Sequence, residues 1–284
     1  AGINIGDGCW GGHLIERCDV FDTVLETHDH GSFNSWGRDR FWSSDRSASQ
    51  IEVDADPNLP FLDAIKTTVI RDSRWRCDHG WDIDLDDGSS NYEIYNNLLL
   101  NGGLKFREGF LRRAWNNIVV NNSFHPHVWY AHSGDEFHTN IVMTDVKGIR
   151  APTKSATGKY IDKNLFFVTD HKQKDKYAEQ GWDLHSIVGD PLFLDPAGGD
   201  FRVKEGSPAF AIGFENFLRH LLEIMTGWSR NQYRKALVAN PCRNVTFPNV
   251  LLDDSGHVGG EFIHGLGFQF VLQLRDTICL DVNH

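Results

Sequence analysis

The sequence has few cysteines, few basic residues and no long apolar segment, and each shortage argues against a class of protein. Five widely spaced cysteines without a CxxC pair argue against a dense disulfide framework and against a zinc cluster. The chain carries 28 Lys and Arg against 39 Asp and Glu. Phosphate binding requires a basic face, so nucleic acid is not an expected partner. No apolar run reaches the roughly 18 residues of a membrane span, which argues against membrane insertion.

The length allows a large buried core, in one large domain or two ordinary ones, within 284 residues. No signal peptide is recognisable, and the chain begins with Ala1 rather than Met. This start fits either a removed leader or a fragment of a longer protein. No feature of the sequence predicts an oligomeric state.

Six segments share one template, in which a pair of polar residues separates two short apolar runs. The second residue of each pair falls at Asp19, Ser73, Asn97, Asn117, Asn140 and Asn164. A period in the low twenties, with strand-forming residues, is typical of solenoids, because successive coils bury their apolar sides against each other. Asn at the same corner of each coil predicts a ladder of side-chain amides. We therefore predict an all-β fold, a right-handed parallel β-helix. The Leu pattern of leucine-rich repeats is absent.

The first interval between these pairs is much longer than the others and predicts an insertion of about one coil's length (roughly 30 residues). We place it at about residues 27–60, where His, Asp, Arg and Trp are frequent. Long loops on a rigid scaffold often carry function, so we expect this segment to border a binding site.

One segment places three acidic residues on one side of a predicted strand. Asp82, Asp84 and Asp86 alternate with Ile83 and Leu85. Successive side chains of a strand point to opposite faces, so the aliphatic residues would enter the core and the carboxyl groups would point outward. Like charges crowded on one strand face are destabilising. The strand therefore needs neighbouring cations, or some of its carboxyl groups must stay protonated.

The following segments supply the cations and aromatic residues. Lys105 and Arg107 alternate with apolar residues, and the next segment contains His125, His127 and Trp129. If the three segments stack in register, they form one polar outer surface. Lys105 and Arg107 would then either act in catalysis or only neutralise the row of Asp residues.

The segments 189–196, 199–204 and 206–209 resemble the closing segment of bacterial right-handed parallel β-helix repeat proteins, many of which are secreted glycoside hydrolases or polysaccharide lyases. Stretches 28–42 and 81–130 are also similar to part of that group. The resemblance covers about residues 1–217 and implies a secreted or periplasmic protein acting on an oligo- or polysaccharide. Residues 218–284 do not match, and we predict a C-terminal extension or cap there.

Our preferred hypothesis is glycoside hydrolysis by two carboxyl groups, one acting as general acid and the other as base or nucleophile. Residues two apart on one strand face lie about 6.5–7 Å apart, so either Asp82 and Asp84 or Asp84 and Asp86 could form the pair, and Asp82 and Asp84 are the first candidates. Asp86, Asp87 and Gly88 also fit a simple turn. The expected substrate-binding residues are Asp29, Trp36, Arg38, Asp39, Trp81, His125, His127 and Trp129.

Two alternatives remain open. The first is a polysaccharide lyase acting on a uronic-acid polymer, with Lys105 or Arg107 as the base and with Asp82, Asp84, Asp86 and Asp87 as oxygen ligands for Ca²⁺. We prefer hydrolysis, which requires no cofactor, because the aromatic and His residues suit neutral as well as acidic sugars. The second alternative is a carbohydrate-binding solenoid without catalysis. His125 and His127 lack a third ligand at a helpful spacing, so we predict no zinc site.

Overall fold

A computed structural model describes residues 1–6, 9–144, 160–168, 177–179 and 181–217. The predicted C-terminal extension, 218–284, lies outside the described residues. In chain order the strands are β1 (Ile3–Ile5), β2 (Leu14–Glu16), β3 (Asp19–Val20), β4 (Gly31–Trp36), β5 (Thr68–Arg71), β6 (Arg74–Trp75), β7 (Trp81–Asp86), β8 (Tyr92–Tyr95), β9 (Leu98–Leu99), β10 (Leu104–Phe106), β11 (Arg112–Trp115), β12 (Ile118–Val119), β13 (Phe124–Pro126), β14 (Glu136–His138), β15 (Ile141–Val142), β16 (Tyr160–Asp162), β17 (Leu165–Phe166), β18 (Ile187–Val188), β19 (Phe193–Asp195) and β20 (Asp200–Val203). The described part of the chain contains the helix α1 (Arg46–Ala55) and the short 3-10 helices Leu59–Phe61, Pro196–Gly198 and Pro208–Ile212.

Three parallel sheets form most of the described structure. Sheet 1 has the order β1-β4-β7-β10-β13, sheet 2 the order β16-β14-β11-β8-β5-β2, and sheet 3 the order β18-β17-β15-β12-β9-β6-β3. From β1 to β15 the chain visits sheets 1, 2 and 3 in the same order, round after round. The prediction of an all-β fold built from parallel strands is therefore confirmed.

The three sheets share one apolar core. Phe33 and Ile83 from sheet 1, Ile70 from sheet 2, and Trp75 and Leu99 from sheet 3 belong to the same cluster, and each has no exposed surface. Alternation along the strands explains this arrangement, because every second side chain turns inward. The other side chains of sheet 1 point away from this core, and the polar surface lies there.

The predicted Asn ladder runs through consecutive rounds between sheets 2 and 3. The side-chain amide of Asn97 donates to Asn117 (3.1 Å), that of Asn117 to Asn140 (3.0 Å), and that of Asn140 to Asn164 (3.2 Å). All four residues are fully buried. Buried polar groups require such partners, so the ladder fixes the register between rounds.

The first member of the repeat lies one residue earlier in the chain than predicted. The backbone N–H of Cys18 donates to the Ser73 hydroxyl (3.0 Å), so Cys18 is the residue equivalent to Ser73. Asp19 instead begins β3 and pairs with Arg74 of β6. In this round the backbone N–H of Cys18 makes the hydrogen bond to the next round, so no polar side chain marks the ladder position in the sequence.

The insertion begins later than predicted. Strand β4 lies inside the predicted range 27–60, yet it is a regular strand of sheet 1 that pairs with β7. The inserted segment is 37–67, between β4 and β5, and it contains α1. Asp45 caps this helix by accepting from the backbone N–H of Ser47 (2.9 Å). Phe41 packs edge-on against Phe110 (5.4 Å between ring centroids), which holds the insertion beside the end of sheet 1.

The segment behind the family resemblance forms an antiparallel hairpin, β19–β20. Its residues Phe193, Phe201 and Val203 pack with Ile118 and Ile141 in a second apolar cluster, so the hairpin covers the side of sheet 3 that faces away from the shared core. Within the described part of the chain, no helix has the length and apolar character needed to span a membrane.

Candidate active site on the outer face of sheet 1

The register hypothesis is confirmed on sheet 1. Asn34, Asp84, Lys105 and His125 are paired across four neighbouring strands, and we call this set row 84. Two residues further along the strands, Trp36 pairs with Asp86. On the neighbouring strand, Arg107 directly follows Phe106, which pairs with Leu85. We call Trp36, Asp86 and Arg107 row 86. Both rows lie on the face opposite the core residues Ile83 and Leu85.

The centre of the site is one ammonium group between two carboxyl groups. The Nζ atom of Lys105 lies 3.1 Å from Asp84 and 3.4 Å from Asp86. Lys105 and Asp84 are almost completely buried, whereas the Asp86 side chain is 11% exposed. Arg107 Nη1 also contacts Asp86, at 3.0 Å. The crowded acids therefore receive the cations that the sequence analysis required.

The two carboxyl groups have opposite pKa shifts. Burial raises the pKa of Asp84 to about 7, and the charges of Asp86 and Asp29 add to this effect, while Lys105 opposes it. Burial would also raise the pKa of Asp86, but the charges of Lys105 and Arg107 outweigh it and lower that pKa below its ordinary value. At neutral pH Asp84 is partly protonated and Asp86 is ionised.

Asp82 was predicted to form the catalytic pair with Asp84, but it lies in a different environment. Its carboxyl group is completely buried and accepts backbone N–H groups from Cys77 (2.7 Å), Asn101 (3.1 Å) and Gly103 (3.0 Å). Burial raises its pKa to about 7 in spite of these bonds. The carboxyl group joins two neighbouring turns, so its position corrects the expectation that it faces a substrate.

A second polar cluster borders row 86 and was missed in part by the sequence analysis. Oxygen atoms of Asp86, Asp87 and Glu108 lie within 4.8 Å of one another. The guanidinium of Arg107 contacts all three residues, at 3.0, 3.3 and 3.0 Å respectively. Arg107 is therefore the cation at the centre of this acidic group, at the place where the lyase hypothesis puts Ca²⁺.

The inserted segment closes this cluster from the outside. Arg38 contacts Asp87 (2.7 Å) and Arg46, the first residue of α1, contacts Glu108 (2.7 Å). Of these four residues, only Asp87 and Arg38 were in the sequence-based hypothesis. Glu108 was not among the residues that the sequence predicted for the site. No local signal identifies Arg46, since the fold of the insertion alone brings it to Glu108.

Two aromatic residues stand beside the rows. The Trp81 ring lies 5.3 Å from the Lys105 ammonium and packs edge-on against His125 (4.4 Å between centroids). Trp36 packs against His30 (6.2 Å) at the other side of Asp84 and Asp86. These indoles are half-buried. Both belong to the aromatic residues that the sequence predicted for the site.

The remaining predicted residues are dispersed. Asp29 is exposed and close enough to influence Asp84. Asp39 lies in the turn after β4 and lines a small cleft together with Trp36. His127 is half-buried beyond the end of β13. Trp129 is completely buried in the shared core beside Trp182 (5.5 Å), so the prediction that it binds the substrate is wrong.

No protein-family model, curated protein or solved structure matches this chain. The resemblance to β-helix proteins that act on carbohydrates therefore stays a prediction.

Proposed function

We propose that this protein is a glycoside hydrolase whose acid and base are Asp84 and Asp86, on the outer face of a right-handed parallel β-helix. The observation that supports this function is the pair of neighbouring carboxyl groups with opposite pKa shifts around one ammonium. Glycosidic bond cleavage needs one protonated and one ionised carboxyl group, and different environments supply the two states at one pH.

Each residue has a distinct part in this proposal. Asp84 donates a proton to the leaving oxygen, and Asp86 acts on the anomeric carbon or on a water beside it. Lys105 and Arg107 are positioning residues that keep Asp86 ionised. The proposed acid and base are Asp84 and Asp86 instead of Asp82 and Asp84, because backbone N–H groups enclose the carboxyl group of Asp82.

The proposed substrate is an oligo- or polysaccharide, and the proposed location is secreted or periplasmic. Trp36 and Trp81 offer apolar surfaces for sugar rings, and the 28% exposed Arg107 side chain offers donors for hydroxyl or acidic groups. Asp84 has no exposed surface. A bound glycan therefore reaches Asp84 only after a movement of the side chains that cover this carboxyl group.

The test is a product assay with a panel of neutral and uronic-acid glycans. We expect new reducing ends from the wild type, and a loss of about 10²-fold or more in Asp84→Asn and in Asp86→Asn, as for loss of a general acid or base. Asp54→Asn, on the exposed end of α1, is the matched control and should retain full activity. Activity that survives in both site variants would refute the assignment.

A lyase acting on a uronic-acid polymer is the second candidate, and Arg107 favours it. This partly exposed guanidinium lies among three carboxylates and next to the carboxyl pair. New ultraviolet absorbance from an unsaturated uronide, lost in Arg107→Gln, would establish the lyase. Repeating the assay with a calcium chelator shows whether Ca²⁺ takes part. Binding without any product would instead indicate a carbohydrate-binding solenoid.

A further inference from the structure

We infer that hydrolysis at this site retains the anomeric configuration, with Asp86 as the nucleophile that forms a glycosyl ester. This inference rests on the proposed function and goes beyond it, since the pair of carboxyl groups alone does not decide the stereochemical course.

The observation that favours retention is the upper limit that Lys105 places on the distance between the two carboxyl groups. Its Nζ atom lies 3.1 Å from each oxygen of Asp84 and 3.4 Å from Oδ1 of Asp86. Two atoms that contact a common third atom cannot be farther apart than the sum of the two distances. Each Asp84 oxygen is thus within about 6.5 Å of Asp86 Oδ1, whereas inverting enzymes separate their carboxyl groups by about 6.5–9.5 Å and retaining enzymes by about 5–5.5 Å.

The two carboxyl groups also share one buried cation. The Lys105 ammonium contacts both of them and is only 3% exposed. An inverting enzyme needs room for a water molecule between its base and the anomeric carbon. The buried ammonium holds the two groups together and leaves the direct attack of a carboxylate as the available route.

Exposure and charge decide which residue attacks. The Asp86 side chain is the more exposed of the two, and it contacts two cations, Lys105 and Arg107. Asp84 contacts Lys105 and is completely buried. The ionised and more accessible Asp86 is therefore the nucleophile, and Asp84 is the acid.

The reaction has two balanced steps. In the first, an Asp86 oxygen bonds to the anomeric carbon, the glycosidic C–O bond breaks, and the leaving oxygen takes the proton of Asp84. In the second, water attacks the anomeric carbon, Asp84 takes a proton from it, and the ester bond to Asp86 breaks. The net change is addition of water across the glycosidic bond, with both carboxyl groups restored.

The test uses the full chain and the glycan that it cleaves in the product panel. Proton NMR of the first-formed sugar should show the anomer present in the substrate. An aryl 2-deoxy-2-fluoro glycoside of the released sugar should add one fluorosugar mass to the peptide containing Asp86, and Asp86→Asn should lack this adduct. Exposed Asp54→Asn should be labelled as the wild type is.

The outcomes separate this inference from the proposed function. Cleavage that gives the opposite anomer, or labelling of another residue, would overturn the retaining mechanism and leave glycoside hydrolysis intact. If no glycan of the panel is cleaved, the proposed function is overturned and this inference with it.

Discussion

Replacing Lys105 with methionine removes the charge at the centre of the site and keeps a side chain of similar length. The ammonium is buried and contacts Asp84 and Asp86 at 3.1 and 3.4 Å. Removing one partner of a buried ion pair costs about 3–5 kcal/mol, because the remaining charge loses its compensation. We expect a loss of that size in the free energy of unfolding, out of the roughly 5–15 kcal/mol typical of a folded protein.

The loss should depend on pH with a defined sign. The pKa of Asp84 is raised to about 7 by burial, and the charge of Lys105 lowers it, so it rises further without this charge. A carboxyl group with a raised folded pKa binds its proton more tightly in the folded state. Its contribution to stability therefore falls as pH rises from about 4 to the folded pKa. In Lys105→Met the contribution of Asp84 to stability keeps falling up to a higher pH. The loss in the free energy of unfolding, relative to the wild type, should therefore be larger at about pH 8 than at about pH 5.

Urea unfolding followed by tryptophan fluorescence at these two pH values measures the effect. Lys204→Met, at an exposed lysine, is the matched control and should stay within about 0.5 kcal/mol of the wild type. Lys105→Arg keeps the charge and should lose less stability at the higher pH than Lys105→Met does. An equal loss at both pH values would refute the electrostatic reasoning, because a packing defect has no such pH dependence.

Three further predictions concern the scaffold. Asn117→Ala leaves several buried ladder groups without a partner and should cost about 1–3 kcal/mol for each such group in urea unfolding, whereas exposed Asn121→Ala should cost less than about 0.5 kcal/mol. Trp129→Ala should cost about 3–5 kcal/mol in the same assay, since it empties part of the core; a near-neutral result would contradict the burial. Gly88→Ala should lower the melting temperature more than Gly206→Ala: both have positive φ, but only at Gly88 would an added Cβ meet a backbone oxygen, at 2.1 Å.

Much of the scaffold could be predicted because its signals are local and repeated. Alternation places Ile83 and Leu85 in the core on sequence grounds alone. The spacing of Asn97, Asn117 and Asn140 marks one corner of successive rounds, and the hydrogen bonds between them confirm it. These patterns recur every round, so a single misplaced residue does not hide them.

The candidate site was less predictable, because alternation treats Asp82 and Asp84 alike. What separates them is the turn at Asn101–Gly103, whose backbone N–H groups surround Asp82 and leave Asp84 to Lys105. Backbone groups carry no side-chain signal. Trp129 was misplaced for a related reason: β13 ends at Pro126, so the alternation expected beyond it no longer applies. The range of the insertion was wrong because β4 has little of the apolar character of the other strands, with Ser and Asn between its aromatic residues.

The same arrangement explains both the stability of the acidic strand and the difference between its carboxyl groups. Across the sheet, Asp84 has Asn34 on one side and Lys105 on the other, and Asp86 has Trp36 on one side and Arg107 near the other. Each acid thus has one neutral and one cationic neighbour, which relieves the repulsion within the strand.

The cations are not shared equally, and this inequality sets the chemistry. Lys105 contacts both acids, so Asp86 receives two cations and Asp84 receives one. Deeper burial adds to the difference, since it penalises the ionised form of Asp84 more strongly. A lysine in place of Asn34 would give Asp84 a second cation and lower its pKa towards that of Asp86. Asn34 is buried, so unfolding of Asn34→Lys is measured first by tryptophan fluorescence. The folded variant should lose activity at neutral pH, because no protonated acid would remain; full activity in this variant would show that Asp84 is not the proton donor.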